Sequence, residues 1–191
     1  GDVIGAMDLV LAAPPSPQQM TDIAGIGHLL GHVVVVNRRY TDLFEWGQRT
    51  TTVSLSAEIQ RRLLPQAFTC EAGQFTLAGW LEPASTVGGD TFDYALDRET
   101  LHLSITDAAG HDVDAAMLAT VLVGALRNAR RAGLDLSSQV ITANDSLAAY
   151  SSVGQFVTGQ VVRIDLVRHA ASIVNAGLPF PLRLRGGRVE E

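Results

Sequence analysis

The stretch that decides the fold reads GGDTFDYALDRETLHLSITDAAGHDVDAAM and spans residues 88–117. Within it, Leu101, Leu103 and Ile105 alternate with polar residues, and this period of two predicts a strand with one apolar face. The polar segment 97–100 suits a turn, so the residues before it are expected to pair with this strand as a hairpin. After the hairpin the apolar spacing changes to three and four residues, which predicts a helix.

The flanking sequence extends this pattern in both directions. On the N-terminal side it predicts a buried strand over Val3–Leu11 and a helix from Gln18 to about Trp46. A second helix is predicted from Ser54 or Ser56 to about Leu64, with Leu55, Ile59 and Leu63 on one face, and a strand from Gln74 to Gly79. On the C-terminal side it predicts a helix capped by Asp112 or Asp114, a second helix near Leu136–Tyr150, and strands over Gln155–Leu166, His169–Asn175 and Pro181–Leu184. Strands, then two helices, then strands again indicate an α+β fold with antiparallel pairing.

The composition excludes several classes of protein. The chain has 191 residues, 47% apolar and 18% charged, so it can bury a core. All fourteen basic residues are arginine, and without lysine there is no Walker A loop, Schiff-base enzyme or kinase strand lysine. The net charge of −6 argues against nucleic acid as a partner. A single cysteine, Cys70, no basic leader and no long uninterrupted apolar run lead us to expect a cytoplasmic protein without a membrane partner.

Acidic residues are concentrated in one part of the chain. Between Thr86 and Asp114 a single base, Arg98, accompanies seven acids: Asp90, Asp93, Asp97, Glu99, Asp107, Asp112 and Asp114. Crowded carboxylates repel one another, so such a cluster is either a solvated surface or a place where cations bind. Asp93 and Asp97 are interpreted here as surface acids.

Two of these aspartates have the surroundings of a cation ligand. Asp90 follows two glycines, which allow the backbone to approach closely, and Asp107 comes at the end of a predicted strand before Ala108. Antiparallel pairing would bring both carboxylates to one sheet edge, where the carbonyl after Asp107 can face the same ion. A pair of ordinary turn aspartates would have the same spacing, so both interpretations stay open at this point.

Five blocks of sequence carry a resemblance to a known family. In chain order they are Leu63-Leu64-Pro65, Val87-Gly88-Gly89-Asp90-Thr91-Phe92-Asp93, Ile105-Thr106-Asp107-Ala108-Ala109-Gly110-His111, Phe156-Val157-Thr158 and Asn175-Ala176-Gly177. In this order the blocks are similar to those of the bacterial metal-dependent protein phosphatases of the SpoIIE and RsbU type, within the PPM or PP2C superfamily. The segment 41–62 resembles actinobacterial members in which a helix joins a GAF-like sensor domain to the phosphatase.

This resemblance implies an αββα four-layer sandwich of two antiparallel sheets flanked by helices, with two Mn²⁺ or Mg²⁺ ions at one end. It implies that Asp107 bridges both ions, that the main-chain carbonyl of Ala108 is a further ligand, and that Asp90 binds near the site. Asp90 and Asp107 are thus the expected catalytic residues. The implied activity is direct hydrolysis, without a phosphoenzyme, of phosphoserine or phosphothreonine on an anti-anti-sigma-like protein of a partner-switching pathway.

The resemblance also divides the chain into three parts. Residues 1–16 would be the last strand of an upstream GAF-like sensor, residues 17–50 a linker helix, and residues 51–191 a C-terminally incomplete phosphatase domain. The linker has an apolar stripe with no core of its own, and such a stripe predicts a homodimer through this helix. The stripe consists of Met20, Ile23, Ile26, Leu30 and Val34.

The chain departs from the family's pattern in three places. Asp112 stands where relatives have the second glycine of Gly-His-Gly, and Leu178 stands where they have a histidine before proline. Relatives also continue to a Thr-Asp-Gly motif and a later aspartate that complete the second metal site, so these 191 residues are expected to be a poor enzyme. The alternatives are a non-catalytic signalling module that binds a protein through an incomplete metal site, and a different two-metal hydrolase.

Overall fold

The computed structural model describes residues 7–37, 54–81 and 88–191 of the chain. The helices in these ranges are α1 (Pro17–Asn37), α2 (Leu55–Leu63), α3 (Asp112–Arg131) and α4 (Leu136–Tyr150). The strands are β1 (Thr69–Glu71), β2 (Thr76–Ala78), β3 (Asp90–Leu96), β4 (Thr100–Ala108), β5 (Val157–Asp165), β6 (Ala170–Ala176), β7 (Arg183–Arg185) and β8 (Arg188–Glu190).

The central element is a four-stranded antiparallel sheet in the order β3-β4-β5-β6. The predicted hairpin is its first pair of strands, and its turn is closed by the Asp97 N–H, which donates to the Thr100 carbonyl at 2.9 Å. Two antiparallel ribbons, β1-β2 and β7-β8, complete the strands of the described residues. Antiparallel sheets combined with helices confirm the predicted α+β class.

The core lies where α3 packs against the sheet and against its neighbouring helices. Two clusters of buried side chains form it: Ala108, Ala115, Leu118 and Ala119, and then Leu122, Leu126 and Ala143. The alanines of the first cluster are at most 2% exposed, and their short side chains let α3 approach the end of β4 closely. The first half of α3 is therefore packed against the end of the strand that carries Asp107.

Helix α2 begins as predicted but turns a different face inward. Its N-cap is Ser54, whose Oγ accepts a hydrogen bond from the Ala57 N–H at 3.2 Å. The predicted apolar face is wrong at Leu55, which is 65% exposed, whereas Ser56, Ala57 and Gln60 are buried. The physical reason is that α2 packs against both α3 and the start of β3, where small side chains and an amide fit better than leucine.

The N-terminal prediction holds only in part. Residues 7–11 are exposed and lie in neither a helix nor a strand, so the strand predicted over Val3–Leu11 is wrong for this part, which has no neighbouring strand to pair with among the described residues. The remainder of that strand, residues 3–6, lies outside the described residues. Helix α1 confirms the predicted helix as far as residue 37, and the expected continuation to Trp46 lies outside them as well. The division into sensor strand, linker and phosphatase domain stays a prediction.

Candidate functional site

The structure brings Asp90 and Asp107 together. Asp90 is the first residue of β3, Asp107 is the last but one of β4, and the two are direct register partners in the antiparallel ladder. Residues directly opposite in such a ladder have Cβ atoms about 4.5–5.5 Å apart and point to the same face. The juxtaposition predicted from the sequence is therefore present, while the roles of these residues as metal ligands and catalytic residues stay a prediction.

The electrostatics of this pair favour a bound cation. Burial raises the pKa of the Asp90 carboxyl above its usual range, and the charge of Asp107 and a hydrogen bond between the two side chains raise it further. Two carboxylates held side by side repel each other when both are ionised. A divalent cation between them would remove this repulsion and stabilise the ionised form of both.

Glycine is required beside the pair because of a close approach between two main chains. A Cβ atom on Gly89 would lie 2.5 Å from the Ala108 carbonyl oxygen, so that the main chain of one strand would have to shift to accommodate it. In return, the Ala108 N–H donates to the Gly89 carbonyl at 3.2 Å. The third predicted ligand group, the Ala108 carbonyl, therefore lies against the residue that precedes Asp90.

Other blocks that carried the family resemblance converge on the same end of the sheet. On its second side Asp107 pairs with Thr158 of β5, whose Oγ1 donates to the Asp107 carbonyl at 3.4 Å. The Asn175 side chain closes the turn after β6 by accepting from the Leu178 N–H at 3.1 Å and donating to its carbonyl at 2.7 Å. Gly177 in this turn is against Thr158, because a Cβ at Gly177 would lie 3.0 Å from the Thr158 methyl group. These motif residues thus form one continuous neighbourhood around Asp107.

The donor atoms present fit a hard divalent cation only in part. Carboxylate and carbonyl oxygens are the ligands that Mg²⁺ and Mn²⁺ prefer. Across residues 7–37, 54–81 and 88–191, no three His, Cys, Asp or Glu side chains come close enough to hold a metal ion. Asp90, Asp107 and the Ala108 carbonyl can contribute to one ion whose remaining ligands are water, and a second ion needs further carboxylates.

An apolar cavity of about 410 Å³ adjoins the carboxylate pair. It lies between residues 77–81, at the end of the β1-β2 ribbon, and the outer face of β3 and β4, and both Asp90 and Asp107 are among its lining residues. Phe92 anchors the ribbon there, since its ring meets Phe68 edge to face with 5.4 Å between centroids. The pair is therefore bordered by an apolar surface on the ribbon side.

The environment of Asp93 differs from the prediction. Asp93 was interpreted as a surface acid, but it is only 7% exposed and accepts two hydrogen bonds from Arg127, at 3.0 Å from Nε and 2.9 Å from Nη2. Arg130 adds an ion pair at 3.6 Å, and Arg127 also donates to the Leu63 carbonyl at the end of α2. Asp93 therefore joins β3 to α3 and α2 inside the protein. Asp97, in the hairpin turn, is exposed as predicted.

Gln60 of α2 is a residue near the site that the sequence analysis did not identify. Its side-chain Nε2 donates to the main-chain carbonyl of Asp90 at 2.7 Å. A signal for it was present in the sequence, because Ser56 and Ala57, one turn earlier, are small and create room for a polar side chain to be buried. An interpretation of α2 that considers only its apolar residues misses this signal.

Residues 97–191 match the family model described as stage II sporulation protein E, SpoIIE. Among solved structures, the chain is similar to the PP2C phosphatase domain with a fragment of the regulatory domain of the cell fate determinant SpoIIE from Bacillus subtilis, with 21% sequence identity and a TM-score of 0.49. That match covers 55% of this chain and 31% of the solved one, so this chain spans less than a third of its length. No curated protein matches the chain.

Proposed function

We propose that this chain takes part in the metal-dependent hydrolysis of phosphoserine or phosphothreonine on a regulatory protein, because residues 97–191 match the SpoIIE family model. The observation that carries the proposal is the direct pairing of Asp90 with Asp107, beside the carbonyl of Ala108. Two acids that repel each other at the end of a sheet, next to a close main-chain approach, are what a cation-binding centre needs.

The proposed mechanism gives each of these residues a definite task. Asp107 and Asp90 would hold Mn²⁺ or Mg²⁺ through their carboxylates, and the Ala108 carbonyl would add a neutral ligand. Bound cations would supply an activated water and neutralise charge on the phosphoryl oxygens. The protein residues then hold this arrangement rigid, because Asp107 is in the ladder between β3 and β5 and cannot move independently of either.

For the substrate we propose a phosphorylated anti-anti-sigma-like protein in a partner-switching pathway, in the cytoplasm. The family resemblance supports this substrate class. The net charge of −6 supports a protein partner over nucleic acid, since phosphate neutralisation needs a basic surface. A phosphopeptide with one phosphoserine contains the reacting group, and it is therefore the probe for a first test.

The test combines metal binding with turnover. Asp107→Asn keeps the size of the side chain but removes the bridging charge, so Mn²⁺ affinity measured by calorimetry should fall more than tenfold. Asp97→Asn, on an exposed acid of the adjacent turn, is the matched control and should bind Mn²⁺ as the unchanged chain does. An unchanged affinity in Asp107→Asn would remove the basis of the proposal.

Hydrolysis distinguishes the proposed function from its alternatives. Release of phosphate from p-nitrophenyl phosphate or from the phosphoserine peptide, dependent on Mn²⁺ and on Asp107, supports a phosphatase. Because the second ion needs further carboxylates, we expect this rate to be near background for the 191-residue chain. Mn²⁺ binding with partner binding, and a rate of phosphate release no higher than that of Asp107→Asn, would favour a signalling module. Cleavage of a phosphodiester instead would favour another two-metal hydrolase.

We also propose that the chain forms a homodimer through α1. None of the residues of this helix is buried, and Met20, Ile26 and Leu30 are each at least half exposed. An apolar stripe of this kind is stable in water when a second helix covers it. Light scattering on the chain and on a version starting at Thr51 tests this proposal, because only the first should be a dimer.

The same helix meets the length and hydropathy criteria for a membrane span, with 21 residues and a mean hydropathy of 1.2. Our proposal of a cytoplasmic dimer is therefore paired with a second measurement. The chain is mixed with phosphatidylcholine vesicles and sedimented, and we expect it to stay in the supernatant. Sedimentation that requires residues 1–50 would contradict both the dimer and the absence of a membrane partner.

A further inference from the structure

A buried amide from α2 holds the main chain of Asp90. Gln60 is 2% exposed, and its Nε2 donates to the Asp90 carbonyl at 2.7 Å across thirty residues of sequence. Its Oε1 is also buried and, among the residues that the structure describes, has no hydrogen-bond partner. Burying an amide whose oxygen has no hydrogen-bond partner is unfavourable. The hydrogen bond from Nε2 to the Asp90 carbonyl is the interaction that offsets this cost.

The same helix also fixes the glycines that lead into β3. A Cβ on Gly88 would lie 2.9 Å from both the Cβ and the carbonyl oxygen of Ser56, which is itself 2% exposed. Gly89 lies equally close to the end of β4, because a Cβ there would be 2.5 Å from the Ala108 carbonyl oxygen and the Ala108 N–H donates to the Gly89 carbonyl. The entry to β3 is therefore held between α2 and the end of β4, and the Gln60 bond comes directly after these two contacts.

The main chain of Asp90 needs this support because the carboxylates of Asp90 and Asp107 repel each other when both are ionised. Asp90 is the first residue of its strand, and beyond it a single hydrogen bond, from the Ala108 N–H to the Gly89 carbonyl at 3.2 Å, continues the ladder. Repulsion from Asp107 would tend to open the ladder at this end. A hydrogen bond to the Asp90 carbonyl from a helix packed on α3 opposes that opening.

From these contacts we infer that Gln60 is a positioning residue, which keeps Asp90 opposite Asp107 so that both carboxylates can bind one cation. The inference rests on the proposed function for its metal and on the described contacts for its geometry. Gln60 itself binds no ion: its amide acts through the Asp90 main chain.

The chain provides a matched control for this inference. Gln139 of α4 is 3% exposed, and its Nε2 donates to a main-chain carbonyl, that of Leu134, at the same 2.7 Å. Gln60→Met and Gln139→Met therefore remove the same kind of bond from equally buried positions and keep a similar side-chain volume. Only the first of these bonds involves the carboxylate pair.

Two readouts on the full 191-residue chain test the inference. In calorimetry, Gln60→Met should bind Mn²⁺ about tenfold more weakly, at the lower end of what loss of a supporting contact costs a metal site. Gln139→Met should leave the affinity unchanged. In metal-free protein, hydrogen exchange of the peptide covering 88–92 should become faster in Gln60→Met and not in Gln139→Met.

Each outcome decides a separate point. Wild-type affinity and wild-type exchange in a folded Gln60→Met chain would overturn the inference, and so would equal weakening by Gln139→Met, which would indicate a general loss of stability. If Gln60→Met does not fold, Gln60→Asn keeps a polar amide but withdraws the donor by one methylene, and the same two results are expected. If the unchanged chain binds no Mn²⁺, the proposed function fails, and the exchange measurement alone decides whether Gln60 holds Asp90.

Discussion

Changing Asp93 to Asn should strongly destabilise the protein without any direct effect on the carboxylate pair. The Asp93 side chain is 8% exposed and lies between the guanidinium groups of Arg127 and Arg130, which are 27% and 20% exposed. The hydrogen bonds to Asp93 raise the pKa of the Arg127 guanidinium, and an arginine is protonated at neutral pH even without such a partner, so the charge of Arg127 remains when the carboxylate is removed. The substitution therefore leaves two partly buried positive charges facing a neutral amide.

The magnitude follows from the cost of breaking a buried pair, which is about 3–5 kcal/mol when one charge is left without its partner. The lower end applies here, because the Asn oxygen can still accept one bond and Arg127 keeps its bond to the Leu63 carbonyl at 2.8 Å. We expect the free energy of unfolding to fall by about 3 kcal/mol. For a chain of this size that corresponds to a lower Tm by roughly 6–12 °C.

Urea denaturation followed by circular dichroism measures the change, with Asp97→Asn as the control. Asp97 is exposed in the turn before β4, and its substitution should alter the free energy of unfolding by less than about 0.5 kcal/mol. If Asp93→Asn cost less than about 1 kcal/mol, Asp93 would be a solvated surface acid after all. The reasoning from its burial and its two arginine contacts would then be wrong.

Two further predictions concern the main-chain contact and the pH dependence of folding. Gly89→Ala places a Cβ 2.5 Å from the Ala108 carbonyl oxygen and should lower the free energy of unfolding by about 1–3 kcal/mol. The control Gly124→Ala adds a Cβ in open space on α3 and should raise the free energy of unfolding by about 0.5–1 kcal/mol. Equal effects of the two substitutions in urea denaturation would contradict the close approach. Burial, and to a smaller extent repulsion from Arg130 and Arg163, lowers the pKa of His102 in the folded protein. The unfolded chain therefore binds a proton at His102 more readily than the folded protein does. The stability that neutral His102 contributes is lost as the pH falls below about 6.5. Tm values from pH 8 to pH 5 should therefore decline less steeply in His102→Gln, and parallel curves would exclude His102 as a cause.

The elements that the sequence predicts well are those whose signal is local. The hairpin, α3 and α4 each show a clear apolar period, and the Ser54 cap of α2 is a property of four neighbouring residues. The buried face of α2 could not be predicted in the same way. Leu55 is exposed and Gln60 is buried because burial here depends on the main chain of β3, thirty residues beyond Gln60. An apolar stripe contains no information about that contact.

The burial of Asp93 was not predicted either, although two simple rules of side-chain spacing would have predicted it. Asp90 and Asp93 are three residues apart on one strand, and because side chains alternate along a strand, an odd separation puts them on opposite faces. If one of them is opposite Asp107, the other must face the helices, where a carboxylate is stable only with a cationic partner. The last turns of the predicted helix α3 contain that partner, since Arg127 and Arg130 are three residues apart and so lie on one face.

Strand parity combined with helical spacing would therefore have assigned Asp93 to the interior and left Asp90 for the cation. What no parity rule could supply is the amide of Gln60, because its partner is a main-chain carbonyl, a group that every residue of the strand has.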